Sequence, residues 1–208
     1  MSKHHRNRNW APAPQPLPED AHVIDNHTHV ASVVPFSQAM SHEAMEKGQG
    51  EVPVYSVDEL LEQAQKVGVE GVIDCGCELP NLMTAIDMAR EHPGTVHAAI
   101  AIHPNEAVLH GHRGAPGPDG LPIKYKPWHD IPFDEAMAEV HRLATTYPNQ
   151  VVAIGETGMD LFRTGESAKE LQREAFRAHV ALAKELNLPM QIHDRDSHKE
   201  VIETLLAD

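Results

Sequence analysis

The stretch VHAAIAIHP, residues 96–104, is almost continuously apolar until it ends in a histidine and a proline. That texture suits a strand of a parallel sheet covered on both faces, not a strand with one wet side. Four other short segments share its character: HVIDNHTHV (22–30), GVIDCGC (71–77), VVAIGETGMD (151–160) and PMQIHDR (189–195). Helical patterns separate them. SVDELLEQAQKVGV (56–69) opens with Ser56 and has Glu59 three residues on, a capping box, and its Leu60, Leu61, Ala64 and Val67 fall at helical spacing. Helices are also predicted over 81–92, stopped by Pro93, and over 133–147. A long amphipathic helix over 166–187 carries Leu171, Ala175, Ala178, Leu182 and Leu186 on one side, and a last helix spans 197–206. Residues 31–55, with Gly48, Gly50 and Pro53, read as a long loop, and 105–132 as a second, irregular one. Residues 1–20 are polar, with four prolines between Pro12 and Pro18, and read as a flexible arm ahead of a domain at 21–208.

Alternation of strand and helix implies parallel βαβ units with right-handed crossovers. Two architectures compete, an open doubly wound sheet and a (β/α)8 barrel. No GxGxxG follows the first strand, so a dinucleotide fold has no support. Five strand–helix units are visible, whereas a (β/α)8 barrel needs about 250 residues. The expectation is therefore an α/β chain carrying about the first five units of a barrel, a fragment or truncated product of a longer protein.

Composition excludes several classes. The chain has 208 residues, 41% hydrophobic and 23% charged. No apolar run approaches the roughly 18 residues of a membrane span, and no apolar stretch follows Arg6 and Arg8 as a secretory signal would require. Cys75 and Cys77 are the two cysteines, too close together for a disulfide framework; buried thiols are the simpler reading. A cytoplasmic setting is expected. The net charge of −14 argues against strong unassisted nucleic-acid binding, although bound cations would change that locally. Histidine is the outlier, with 16 copies. His4, His5, His110 and His112 lie in glycine- or proline-rich stretches and read as surface residues.

The remaining histidines of interest sit at strand ends. Residues two apart in a strand share a face, so His27 and His29 project together, with Asp25 one step behind. The other strands end in His103, in Glu156 and in His193-Asp194-Arg195. Each alone has an ordinary reading: a packed histidine for His103, a turn residue for Glu156, a salt bridge to Asp194 or Asp196 for Arg195. In a parallel barrel all these ends meet at one rim, where active sites lie, and that shared position favours a metal site. Three histidines and a glutamate form a mixed nitrogen and oxygen donor set. It suits zinc or manganese, and magnesium where carboxylate and water dominate. A carboxylate can bridge two ions about 3.5–4 Å apart.

IDNHTHV (24–30), AIHPNE (101–106), AIGETGMDLF (153–162), the helix with Gln172 and Phe176, and LPMQIHDRD (188–196) together resemble the TatD family of metal-dependent hydrolases. The matching stretches run in family order across about residues 21–208. The resemblance implies a (β/α)8 barrel, two divalent ions (magnesium, manganese or zinc) and 3′–5′ exonuclease action on DNA 3′ ends or another phosphodiester. By the motif match, His27 and His29 look like ligands of one ion, Glu156 like the bridging and catalytic carboxylate, and His193 like a ligand of the second ion. His103 corresponds to an active-site histidine that contacts substrate phosphate, and Arg195 is a second candidate contact. The family's late histidine and aspartate would fall beyond Asp208, so the 208-residue chain is expected to be inactive alone. An ester or amide hydrolase on the same barrel, such as an aminoacyl-tRNA deacylase, is the alternative.

Overall fold

The computed structural model describes residues 16–18, 20–48, 53–113, 123–164 and 166–208. Most of the expected arm, His4 and His5 included, and residues 114–122 of the second expected loop lie outside them. The elements run β1 (Val23–Thr28), α1 (Val30–Glu46), α2 (Val57–Lys66), β2 (Val69–Gly76), α3 (Leu79–Glu91), β3 (Val96–Ile100), α4 (Pro104–Ala107), α5 (Phe133–Thr146), β4 (Val151–Asp160), α6 (Lys169–Leu186), β5 (Met190–Arg195) and α7 (His198–Ala207).

The sheet order is β1-β2-β3-β4-β5. β2, β3, β4 and β5 pair in parallel, with Val72 opposite Val96, Ile100 opposite Ile154 and Gly158 opposite His193. A doubly wound sheet reverses its strand order at a switch point; this sheet adds each strand beside the previous one, as a barrel does. Contacts divide the chain in two. A smaller unit draws on residues up to Asp25 and on Val30–Gly71, and a larger one on Asn26–His29 and Val72–Asp208.

In the smaller unit α1 corrects the loop expected over 31–55. Its inward stripe is Val30, Val33, Val34, Ser37, Met40 and Ala44, at helical spacing and buried or half-buried. Two features hid it. Ser37 interrupts the apolar period, its Oγ donating to the Val33 carbonyl at 2.8 Å, and Pro35 removes a ladder donor inside the helix. α2 has the predicted capping box: Ser56 N–H donates to Glu59 Oε2 at 2.7 Å and Glu59 N–H to Ser56 Oγ at 3.2 Å.

The larger unit holds the main core. Met159 of β4 packs with Phe176 and Val180 of α6 and Val201 of α7, while Leu82 and Ile86 of α3 are fully buried. β3 is covered on both faces, as its texture predicts: Ala98, Ala99 and Ile100 are inaccessible. The buried arc of α6 is wider than its apolar residues and includes Gln172 and His179. Both are accepted because they are fully hydrogen-bonded. His179 Nε2 accepts the Ile102 N–H at 3.1 Å, and its Nδ1–H donates to the Ala175 carbonyl at 2.8 Å. His110 corrects another expectation, since it is fully buried and pairs through Nδ1 with the Ile131 carbonyl at 2.9 Å. The turn at Gly111, with φ +67°, turns the chain so that His110 faces inward. His112 is exposed, as expected.

Burial lowers the His179 pKa from its ordinary 6.5 to about 4, against the Ala175 carbonyl, which raises it. The unfolded chain therefore binds a proton that the folded chain refuses between these values. The stabilisation is full above pH 6.5 and is lost as pH falls toward 4. Urea unfolding at pH 7 and pH 5 should show a His179-dependent loss on the order of 2 kcal/mol. His179→Gln, which keeps an acceptor for Ile102, should remove that part of the slope; an unchanged slope would contradict the assignment.

Candidate metal centre

The C-terminal end of β1 is anchored by Thr28, whose Oγ1 donates to the Ile73 carbonyl at 3.0 Å. Strand alternation then sends His27 and His29 to the other side. Their rings lie 5.2 Å apart, edge to face. Glu156 of β4 receives both: His27 Nε2 is 3.4 Å and His29 Nε2 3.6 Å from its Oε2. Its other oxygen faces a second pair. His193 Nδ1 of β5 is hydrogen-bonded to Oε1, and His103 Nε2, just past β3, lies 3.8 Å from it. One carboxylate thus stands between two pairs of imidazoles. The structure brings together all five residues singled out in the sequence. Asp25 is exposed and groups with the smaller unit.

The glycines around Glu156 allow this placement. A Cβ on Gly155 would lie 2.5 Å from Gln191 Cβ, and one on Gly158 only 2.1 Å from the His193 carbonyl oxygen. Gly158 also has φ +145°. β4 and β5 therefore approach closely only because these positions lack side chains, and that approach presents Glu156 to His193.

Electrostatics follow the geometry. Burial works against the Glu156 charge, but the His193 hydrogen bond and the nearby His103, His193 and His27 outweigh it and hold the pKa at about 2. Glu156 is therefore ionised across the physiological range. Burial lowers His103 to about 4, against the pull of Glu156, and keeps it neutral. Asn105 N–H donates to its Nδ1 at 3.2 Å, so the ring proton sits on Nε2, the nitrogen that faces the site. For His193, burial opposes the charge, but Glu156 and Asp160 raise the pKa.

Sequence reasoning missed two neighbours. Asp160, 1% exposed at the end of β4, receives His193 Nε2 at 3.2 Å and Asn105 Nδ2 at 3.0 Å. Its signal was its place four residues after Glu156 on the same strand face. Cys77 Sγ lies 3.7 Å from Glu156 Oε2, and burial and then Glu156 push its thiol pKa well up. Cys75 is buried and donates to Gln191 Oε1 at 2.9 Å. Arg195 lies with its guanidinium carbon 4.0 Å over the Phe162 ring, while Asp194 accepts from Ser197 Oγ and pairs with His198.

Two donor sets result, His27–His29–Glu156 and His103–Glu156–His193, with all ligand atoms of each within 4.8 Å of one another. Imidazole nitrogens around an ionised carboxylate fit a divalent cation in chemistry. With Asn105 N–H on its Nδ1, His103 carries its proton on the Nε2 that faces the second set, which leaves Glu156 and His193 as the candidate donors there.

A family profile described as TatD related DNase matches residues 24–208. The chain belongs to this family. It is 32% identical over 149 residues to the uncharacterized metal-dependent hydrolase YabD of Bacillus subtilis, covering 72% of this chain and 48% of that protein. It is 32% identical over 148 residues to the 3′-5′ ssDNA/RNA exonuclease TatD of Erwinia tasmaniensis, covering 71% and 48%. The TatD homologue YJJV of Escherichia coli superposes with a TM-score of 0.58 at 25% identity, covering 88% of this chain and 55% of that one. A TatD family hydrolase from Entamoeba histolytica superposes at 0.62 and 20% identity, covering 89% and 54%. The chain thus spans about half the length of the curated relatives it matches, and carries five strand–helix units of the (β/α)8 fold.

Gly158→Ala tests the close approach. It adds positive-φ strain and a clash with backbone, and should lower unfolding free energy by roughly 2–4 kcal/mol. A denaturation midpoint equal to that of the unaltered chain would show that β4 and β5 are not held this tightly.

Proposed function

We propose that this protein is a metal-dependent phosphodiesterase of the TatD type, trimming single-stranded nucleic acid from 3′ ends with two divalent cations. The observation that carries the reading is Glu156, ionised and set between two histidine pairs. In this reading His27 and His29 hold one cation, His193 holds the second, and Glu156 binds both. Magnesium, manganese and zinc all suit the donors. When bound, such cations lower the pKa of water and take up charge on phosphoryl oxygens. Neutral His103 offers its Nε2–H as a hydrogen-bond donor to a phosphate oxygen. It is held in that role by the Asn105 N–H behind it. Arg195, stacked on Phe162, supplies a fixed positive charge beside the strand end that carries His193. The cations also explain how a chain of net charge −14 would receive a polyanion. Residues 21–208 form the barrel domain in this reading. No helix among the described residues is long and apolar enough to cross a membrane, and the reduced thiols of Cys75 and Cys77 support a cytoplasmic setting.

The double variant His27→Ala, His29→Ala removes one donor set and leaves the core untouched. Elemental analysis after dialysis should give about two zinc ions for the unaltered chain and one for the variant, with unchanged circular dichroism. Equal zinc in both would remove these histidines from the centre.

Activity is tested with single-stranded DNA labelled at its 5′ end, in magnesium, manganese or zinc, beside an aminoacyl ester. Stepwise shortening from the 3′ end is expected of a protein carrying all eight strand–helix units and not of the 208-residue chain alone; it should be abolished by chelator and reduced at least about a hundredfold by Glu156→Gln. Ester cleavage without shortening of DNA would favour the alternative hydrolase. Full activity of Glu156→Gln would contradict the role of the carboxylate.

A further inference from the structure

Asp160 belongs to neither donor set, yet hydrogen bonds secure both its side chain and its backbone. Its Oδ1 accepts the Arg163 N–H at 2.8 Å and its Oδ2 accepts Asn105 Nδ2 at 3.0 Å. Its own N–H donates to Gln172 Oε1 at 2.7 Å. Its carbonyl accepts Gln172 Nε2 at 3.1 Å and Thr164 Oγ1 at 2.7 Å. The carboxylate can neither rotate nor withdraw. What it faces is the ring of His193, through Nε2 at 3.2 Å.

His193 has two ring nitrogens and, when neutral, one proton. Nδ1 points at Glu156 Oε1 and lies 3.3 Å from His103 Nε2. His103 already carries its proton on that Nε2, because Asn105 N–H occupies its Nδ1. Nδ1 thus meets both the Glu156 carboxylate and the His103 donor, whereas Nε2 meets an acceptor alone, Asp160. We propose that Asp160 is the positioning residue of the centre: it accepts the His193 Nε2–H and so keeps Nδ1 unprotonated and aimed at the cation beside Glu156. The proposal rests on the metal-centre reading: without a cation Nδ1–H also donates to ionised Glu156, and the cation takes the place of that proton. A carboxylate behind a ligating histidine fixes its tautomer and ring orientation. Asn105 serves two histidines at once, through its backbone N–H to His103 and its side chain to Asp160.

A purely structural Asp160, closing the turn to Arg163, would leave the His193 proton where it is when varied. The isosteric Asp160→Asn separates the two roles. The Arg163 N–H cannot turn and demands an acceptor at the Oδ1 position, so the new amide group places its NH2 toward His193. Asn105 can accommodate this by rotating its side-chain amide, since its buried Oδ1 has no hydrogen-bond partner. The NH2 would then face Nε2 and drive the His193 proton to Nδ1.

The test is long-range ¹H–¹⁵N correlation of the histidine rings in the full chain, with a zinc titration. His179, whose Nδ1–H is fixed by Ala175, is the internal marker of the fold. In the zinc-loaded chain His193 should carry its proton on Nε2. In Asp160→Asn the proton should move to Nδ1, and zinc binding at this donor set should weaken roughly 10–100-fold, with the His179 signals unmoved. Asp160→Ala is the second variant: it leaves Nε2–H without an acceptor and should weaken zinc similarly. A His193 that keeps its proton on Nε2 and binds zinc within about twofold of the unaltered chain in both variants would overturn the proposal. So would a His193 that ligates through Nε2 in the unaltered chain. If the unaltered chain binds no zinc, the metal-centre reading fails. The proton is then read in metal-free Glu156→Ala at alkaline pH, where Asp160 is the remaining acceptor. Nε2–H there supports the positioning role and Nδ1–H refutes it.

Discussion

An ionised carboxylate held between four imidazoles is the constraint on which the rest of this structure depends. Burial alone would raise the pKa of Glu156; the histidines reverse that and hold it at about 2. The charge comes at the expense of desolvation and needs partners on both oxygens. Those partners come from residues 27, 29, 103 and 193, far apart in the chain. Only a parallel arrangement, with strand ends at one rim, brings them within 4 Å of a single side chain. The two glycines flanking Glu156 and Thr157 serve the same end, because any side chain there would push β4 off β5.

Behind this centre lies a layer of buried polar groups that the apolar pattern does not reveal. Gln172 and His179 face inward from α6, one fastening the Asp160 backbone and the other the Ile102 N–H beyond β3. Helix α6 thus does more than cover the sheet: it fixes the exit of two strands whose next residues reach the site. An apolar residue at either position would leave a buried backbone donor unmet, at a cost of about 1–3 kcal/mol. The rigidity of these strand ends is built from such contacts.

The strands, their parallel sense and the convergence of His27, His29, His103, Glu156 and His193 were legible because each leaves a local trace: an apolar run, a histidine two residues from another, a carboxylate between glycines. Helix α1 was not legible. Its stripe passes through Ser37 and its interior holds Pro35, so hydrophobic periodicity and proline both spoke against it. His110 was misread for a similar reason, as glycine-rich surroundings marked a loop while one carbonyl, that of Ile131, drew the ring inside. Asp160 was quoted within a motif without a role, since nothing in one sequence says which carboxylate faces which imidazole. That information lives in the register that sets Gly158 opposite His193.

The central claim is that Glu156 joins two cation sites. Anomalous diffraction from crystals of the chain grown with manganese measures it directly. The account predicts two anomalous peaks flanking the Glu156 carboxylate about 3.5–4 Å apart, one beside His27 and His29 and the other beside His193 Nδ1. A single peak away from Glu156, or none at saturating manganese, would contradict it.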